Sequence, residues 1–390
     1  MSKNYDAIVI GAGITGAATA YQLKKAGVGK VLLLESAQPA AGGTGKSAAI
    51  VRQHYSTALM VRIALDSVAL FETMEEELQK SELFFNTGWM MLIPEDLYAA
   101  AAKNLEMQRS IGIDTEFLDQ AEWRSGALEW LNPEGIAAVA YERRGGHADP
   151  VRVTEAYCDA FQRLGGELRV KTPVRAIQRV RDKVIGVLTD DGELGGDIVV
   201  NAAGPWASAL AQSAGIEMDM RVVREQDTIW EAVAGRPLPP NPISNASDAI
   251  YSVPGGGRRL LIGQGFPKDY LDVDPNNYKE TGDDDFVSLI LERAQNRFPG
   301  LQGMKLLTSY AALYDVTPDW YPFVGFRSGL EGYVDACGGS GHGFKIAPAI
   351  ALELAHWIVD SHVKDDFAGL SYDRLKSGNL FVGSYGGNRG

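Results

Sequence analysis

Residues 6–16 read Asp6-Ala-Ile-Val-Ile-Gly11-Ala-Gly13-Ile14-Thr15-Gly16, and Glu35 stands nineteen residues beyond Gly16. The run 6–10 is short, apolar and closed by glycine, which predicts a buried strand. The alanine-rich stretch after Gly13 predicts a helix through about Lys25, ended at Gly27. Lys30-Val-Leu-Leu-Leu-Glu35 then predicts a second strand. Strand, Gly-x-Gly-x-x-Gly turn, helix and a second strand ending in an acid make a complete βαβ unit. Gly11 permits the tight turn, Gly13 lets backbone approach a pyrophosphate, and Gly16 lets the helix lie close to the strand. The diphosphate of a dinucleotide then meets the helix N-terminus, where free amides and the dipole favour an anion. Glu35 can accept from both hydroxyls of an adenosine ribose and disfavours a 2′-phosphate, so FAD or NAD is expected rather than NADP. A glycine-rich turn in an ordinary parallel sheet would account for the glycines but not for the whole unit.

Just downstream, Ala40-Ala-Gly-Gly-Thr-Gly45-Lys46-Ser47 nearly matches a P-loop, with alanine in place of its first glycine. A P-loop leaves a strand directly and opens a helix. Here Pro39 and small residues precede the match and β-branched Ile50-Val51 follow, so it reads as a cofactor-contacting loop with no ATPase activity. Further helices are expected over 58–80, much of 95–125, 150–164, 285–297 and 347–363. Strands are expected at 89–93, 168–170, 174–177, 184–188, 197–200, 251–253 and 260–263, with a hairpin turn at Asp191-Gly192. Gly235–Asp248, rich in proline between 237 and 242, reads as a surface connection. Strand–helix alternation interrupted by sheet-like segments suggests a nucleotide domain carrying an inserted second domain.

Composition limits what such a chain does. Its 390 residues suffice for two or three domains, and 45% hydrophobic with 22% charged residues is ordinary for a globular protein. Thirty-seven basic against 50 acidic residues leave a formal charge of −13, which repels phosphate backbones and argues against nucleic-acid binding. Cys158 and Cys337 are the only cysteines, so a disulfide framework is excluded. The histidines His54, His147, His342, His356 and His362 are scattered, with no HExxH, and no metal is expected. Met1–Asp6 leads straight into an apolar run with no basic n-region or small-residue cleavage site, so no signal peptide is expected, and the run 7–20 is too short and glycine-rich to span a membrane. A soluble, cytoplasmic protein is expected.

Four more landmarks follow in order: Gly42-Gly-Thr-Gly-Lys-Ser-Ala-Ala-Ile-Val-Arg52-Gln-His-Tyr55, Asp197-Ile-Val-Val-Asn201-Ala-Ala-Gly204-Pro-Trp206, Thr317-Pro-Asp319 and Gly338-Gly-Ser-Gly341-His342-Gly343-Phe344-Lys345. With the βαβ unit they resemble the D-amino-acid oxidase superfamily of FAD-dependent oxidoreductases, in particular its sarcosine oxidase and glycine oxidase branch. The resemblance runs from residue 7 to 345. It implies a mixed α/β fold, a Rossmann-like FAD-binding domain with an inserted antiparallel-sheet substrate domain. The first would comprise 1–85, 146–222 and 311–390, the second 86–145 and 223–310. It also implies an amino-acid (amine) oxidase or dehydrogenase that oxidises the C–N bond of a small secondary or N-substituted amino acid. Hydride would pass to flavin N5 and the imine would then be hydrolysed. Oxidation of a 2-hydroxy acid, or service as the flavin-carrying β-type subunit of a hetero-oligomeric enzyme, are the alternatives.

By the same resemblance the FAD-contacting positions include Gly11, Gly13, Ile14, Thr15, Gly16, Glu35 and Ser36 in the first unit. They continue with Gly43, Thr44, Lys46, Ser47, Ala48, Ala49 and Ile50, then Val174, then Ala202, Ala203, Gly204 and Trp206. Gly339, Gly341, His342, Gly343, Phe344 and Lys345 complete them; this loop would bring amides and a positive helix end to the flavin N1/C2 region. Arg52 and Lys345 match the pair that holds the substrate carboxylate, arginine bidentately and lysine as a point charge. Tyr314 and Tyr251 match active-site tyrosines. Departures from the pattern are informative. Ala312 stands where monomeric sarcosine oxidases carry the cysteine that binds FAD, so a non-covalent flavin is expected, and Cys337 reads as a small buried filler. The oxygen-activating lysine aligns with Leu261 and a neighbouring histidine with Gly265, which points away from fast reaction with dioxygen. Ala148 precedes Asp149 where heterotetrameric relatives attach FMN, so no second flavin is expected. Expected partners are a small carboxylate-bearing amine and either copies of the chain or other subunits.

Overall fold

A computed structural model describes residues 4–124, 128–361 and 363–383, which leaves His362 outside the described residues. Asn4–Ile10 is a central strand, its residues from Ala7 to Ile10 buried as a parallel strand covered on both faces requires. Val31–Leu34 and Gly192–Asn201 flank it, both parallel, with Ile8 opposite Leu32 and Val199. Glu167–Arg169 extends the sheet on one side. Tyr333–Cys337, Phe323–Phe326 and the hairpin Val174–Val180/Lys183–Thr189 complete its eight strands on the other. The helix Ile14–Lys25 crosses this sheet so closely that a Cβ on Gly16 would collide with the Gly11 carbonyl. Against it lie Pro150–Arg163 and Gly343–Asp360, and Val9, Leu23, Phe161 and Ile346 meet in one core. Asp149 caps Pro150–Arg163 by accepting from the amides of Val151 and Arg152, both at 3.0 Å.

The second sheet has nine strands. Arg221–Glu231 and Lys305–Val316 pair antiparallel along their whole length, and Arg259–Gln264 and Ile250–Gly255 follow outward from the first of these. The sheet is antiparallel except where Ile243–Asn245 runs parallel to Trp89–Ile93. One face buries Trp230, Ile243 and Ile262 against Phe286 and Ile290 of the helix Asp284–Arg297. A small sheet of Ile50–Val51, Phe84–Phe85 and Gly146–Ala148 lies between the two in sequence and carries the chain from one to the other.

Two expectations need correcting. The proline-rich stretch is at the surface only near Val233–Pro237 and at Pro240; Asn241, Ile243 and Asn245 are buried, and Ile243–Asn245 is an internal strand. Three residues are too few to show a period in the sequence. The last helix begins at Gly343 rather than near Ala347, because its first turn starts in the glycine loop itself. Across the expected domain boundaries at 222/223 and 310/311 the chain runs as continuous strands, Arg221–Glu231 and Lys305–Val316. Among the described residues no helix is long and apolar enough to cross a membrane, and no group of three or more His, Cys, Asp or Glu residues could hold a metal ion.

Candidate active site

A cavity of about 870 Å³ lies between the two large sheets. All the predicted FAD and substrate positions line it except Gly16, which works one layer back, letting helix and strand meet. Gly11 takes φ +98°, and a Cβ there would stand 2.6 Å from the Ala202 carbonyl oxygen, so turn and neighbouring strand both demand glycine. The helix that follows has Gly13 at its N-cap, with no side-chain cap and no acid in its first turn. The Ile14 amide donates to Thr44 Oγ1 at 3.2 Å, tying the helix start to the second glycine loop. Glu35 is pinned at the mouth of the cavity: Oε2 accepts from the Ala12 amide and Oε1 from the Ala37 amide, both at 2.8 Å. Oε1 also accepts from the Ser36 hydroxyl at 3.0 Å, so Oε2 is the oxygen that keeps a lone pair for a ligand hydroxyl.

Lys46 does not behave as a P-loop lysine. Its ammonium donates to Glu280 at 2.8 Å, to the Tyr278 hydroxyl at 3.1 Å and to the Ala311 carbonyl at 3.1 Å. It straps the glycine loop to the second sheet. On the far side, Asp315 accepts from the Gly338 amide at 2.7 Å and Ser340 Oγ from the Thr317 amide at 3.2 Å, which fixes the loop before the last helix. Gly341 there has φ +79°, and a Cβ would stand 2.6 Å from the Tyr314 ring. The last helix also starts without a side-chain cap or an acid in its first turn. Two helix N-termini, each with its positive dipole end and no side-chain bond from its N-cap residue, therefore face one elongated cavity. His342 is neutral, since burial, then Lys345 and Arg52, hold its pKa well below the usual range, and its buried Nδ1 has no hydrogen-bond partner among the described residues. Two helix starts following strands of the first sheet, a ribose-ready carboxylate and an orphaned ring nitrogen fit a dinucleotide of FAD's length and charge. Ala312 also lines the cavity, so no thiol is offered at that position. Cys337 lines it too, but burial pushes its thiol well up and out of the reactive range.

The cations come next. Arg52 follows the short strand Ile50–Val51, lies over the rings of Tyr55 and Trp89 at 4.9 and 5.5 Å, and donates to the His54 carbonyl. Lys345 lies in the first turn of the last helix, buried, and its pKa is held well below normal by burial and then by Arg52. Among the described residues neither forms an ion pair with a carboxylate. Behind Arg52 is Glu142, wholly buried: its Oε2 accepts from the Gln53 amide at 2.7 Å, and burial pushes its carboxyl up to about 7.

The sequence reading missed a second group, on the second sheet: Asp227, Glu225 and Lys268. Asp227 and Lys268 line the cavity with Tyr251 and Tyr314, and Lys268 is in a buried ion pair with Glu225. The aligned lysine position, Leu261, carries none; Lys268 stands seven residues later, after the strand has ended. No motif marks these residues. The only signal was an unusual run of charge, Arg224-Glu-Gln-Asp227, inside an otherwise strand-forming segment.

The comparisons with known proteins agree with this architecture. The chain is 27% identical over 379 residues to the 4-methylaminobutanoate oxidase (formaldehyde-forming) of Paenarthrobacter nicotinovorans, covering 94% of this chain and 45% of that protein. It thus spans less than half of that relative's length. Similarity to sarcosine oxidase subunit beta of Arthrobacter is 25% over 399 residues, covering 97% of this chain and 93% of the subunit. Among solved structures, L-proline dehydrogenase from P. horikoshii superimposes with a TM-score of 0.89 at 25% identity, covering 98% of this chain and all of that one. The model of the DAO family, FAD dependent oxidoreductase, matches residues 6–357, and the chain belongs to that family.

Proposed function

We propose that this protein oxidises the C–N bond of a small secondary or N-substituted amino acid, with FAD held non-covalently. One observation carries the reading: the half-buried Arg52 and the buried Lys345, two basic side chains without a carboxylate partner among the described residues, line the cavity that fits the dinucleotide. Buried charge is expensive unless paired, so the cavity is incomplete without an anion, and a substrate carboxylate supplies it. Gly11, Gly13, Glu35, the Thr44–Ile50 segment, Ala202–Gly204 and the Gly339–Phe344 loop would hold the FAD. When bound, FAD supplies two-electron oxidation of a C–H bond next to nitrogen. The chain's own part is to fix and to dry: Arg52 and Lys345 anchor one end of the substrate, and the Tyr251 and Tyr314 rings exclude water around the other.

The similarity to 93% of a sarcosine oxidase β subunit favours a second reading, in which the chain acts only with partner subunits. Assay of the purified chain alone with sarcosine, glycine, proline and glycolate separates the readings. Dye reduction or peroxide with an N-substituted amino acid, and none with glycolate, is the expected result. Turnover of glycolate alone would indicate a hydroxy-acid enzyme, and no turnover without added subunits would support the β-type reading.

A further inference from the structure

Asp227 stands on Arg221–Glu231 and Tyr251 on Ile250–Gly255; between them runs Arg259–Gln264, whose Gly263 is the cross-strand neighbour of both. A glycine at that register brings the pair together, because a Cβ on Gly263 would collide with Asp227 Oδ1 and with the Tyr251 hydroxyl. The hydroxyl donates to Asp227 Oδ1 at 2.7 Å, and both side chains line the cavity. The charged and titratable groups that face Asp227 are Tyr251, Tyr310, Tyr314, Glu225 and Lys268. Lys268 is already bound to Glu225 and to the Gln264 carbonyl, at 2.8 Å for the latter, so its charge is matched. Asp227 is therefore a buried carboxyl without an ion-pair partner of its own among the described residues. The same cavity carries two unmatched cations, Arg52 and Lys345. A zwitterion satisfies both demands at once: its carboxylate meets the cations and its ammonium the aspartate.

Resting on the amino-acid reading above, we propose that Asp227, oriented by Tyr251, is the catalytic residue that receives the substrate's ammonium group and takes its proton. In that step one N–H bond breaks, the proton forms an O–H bond on Asp227, and the electron pair stays on nitrogen. The free pair is what assists oxidation at the neighbouring carbon. The proton returns to solvent between turnovers. Desolvation beside Arg52 and Lys345 disfavours the ammonium form, while burial raises the Asp227 carboxyl to about 6. Donor and acceptor are thereby brought toward each other. Above about pH 6 Asp227 is ionised and can accept the proton; below it the acceptor is filled.

The test uses the full-length FAD-loaded protein, an N-substituted amino acid that it oxidises, and acetate, which has the carboxylate and no nitrogen. In Asp227→Asn, acetate should still perturb the flavin spectrum with wild-type affinity. Amine kcat/KM should fall about 100-fold or more, and its acidic limb near pH 6 should disappear. Should Asp227→Asn not fold, Tyr251→Phe serves: losing the donor that stabilises the carboxylate moves the limb to higher pH with acetate binding unchanged. Wild-type amine turnover by Asp227→Asn, or an unmoved limb in Tyr251→Phe, overturns the proposal alone. Wild-type flavin left oxidised by every amino acid would overturn the functional reading, and this proposal with it.

Discussion

Arg52 was legible in the sequence because it follows a glycine loop of recognisable pattern; Asp227 was not, because its neighbours come from distant strands. Tyr251 is 24 residues away in sequence and meets Asp227 only across Gly263. Burying such a side chain also disguises it, since Arg224, Glu225 and Asp227 read as a solvated stretch. For Arg52 the expectation is direct. Arg52→Ala should raise KM for carboxylate substrates about 10- to 100-fold, the worth of a charge-assisted hydrogen-bonded pair, with flavin content unchanged. An unaltered KM removes Arg52 from the clamp. Glu142 bears on stability instead. Burial raises its carboxyl from 4.5 to about 7, so the folded state favours the protonated form. That advantage is complete below about pH 4.5 and is lost as pH rises to about 7. Denaturation of Glu142→Gln against wild type across this window should show the variant gaining, by up to about 3 kcal/mol. A gap that does not change with pH would mean that Glu142 is ionised throughout.

The βαβ unit is the element whose sequence and structure agree most closely, and the reason is local. Turn, helix start and acid are all specified within Asp6–Glu35, and no distant strand can alter what Gly11 must do. Gly11→Ala puts a side chain at φ +98° and against the Ala202 carbonyl. The variant is expected to purify with its flavin lost or strongly depleted, as read from absorbance per protein; full flavin content would show that this turn does not shape the cofactor site. The long strands of the second sheet were less legible. Arg221–Glu231 and Lys305–Val316 pair with each other at separations of up to 95 residues, as Arg221 does with Val316, and their cavity faces carry charge where a strand pattern expects apolar residues. The last helix was placed late because it begins inside a glycine loop, with Pro348 in its interior.

At the scale of the whole molecule, the sequence conveyed two sheets and one dinucleotide turn, but not the shape of the space between them. That space is enclosed by segments from residue 10 to residue 350 and depends on how the sheets face each other. It gathers Arg52 from beside the small sheet, Lys345 from the start of the last helix and an acid from the face of the second sheet, a distribution of charge that matches a zwitterion better than a hydroxy acid. Whether the chain works alone or within a larger assembly changes its partners but not this chemistry. The most direct measurement is an anaerobic titration of the purified yellow protein with N-substituted amino acids, followed by spectroscopy. Loss of the oxidised-flavin band, stoichiometric in one such amino acid, is the expected result. A colourless protein that takes up no FAD, or a band that none of them bleaches, would contradict it.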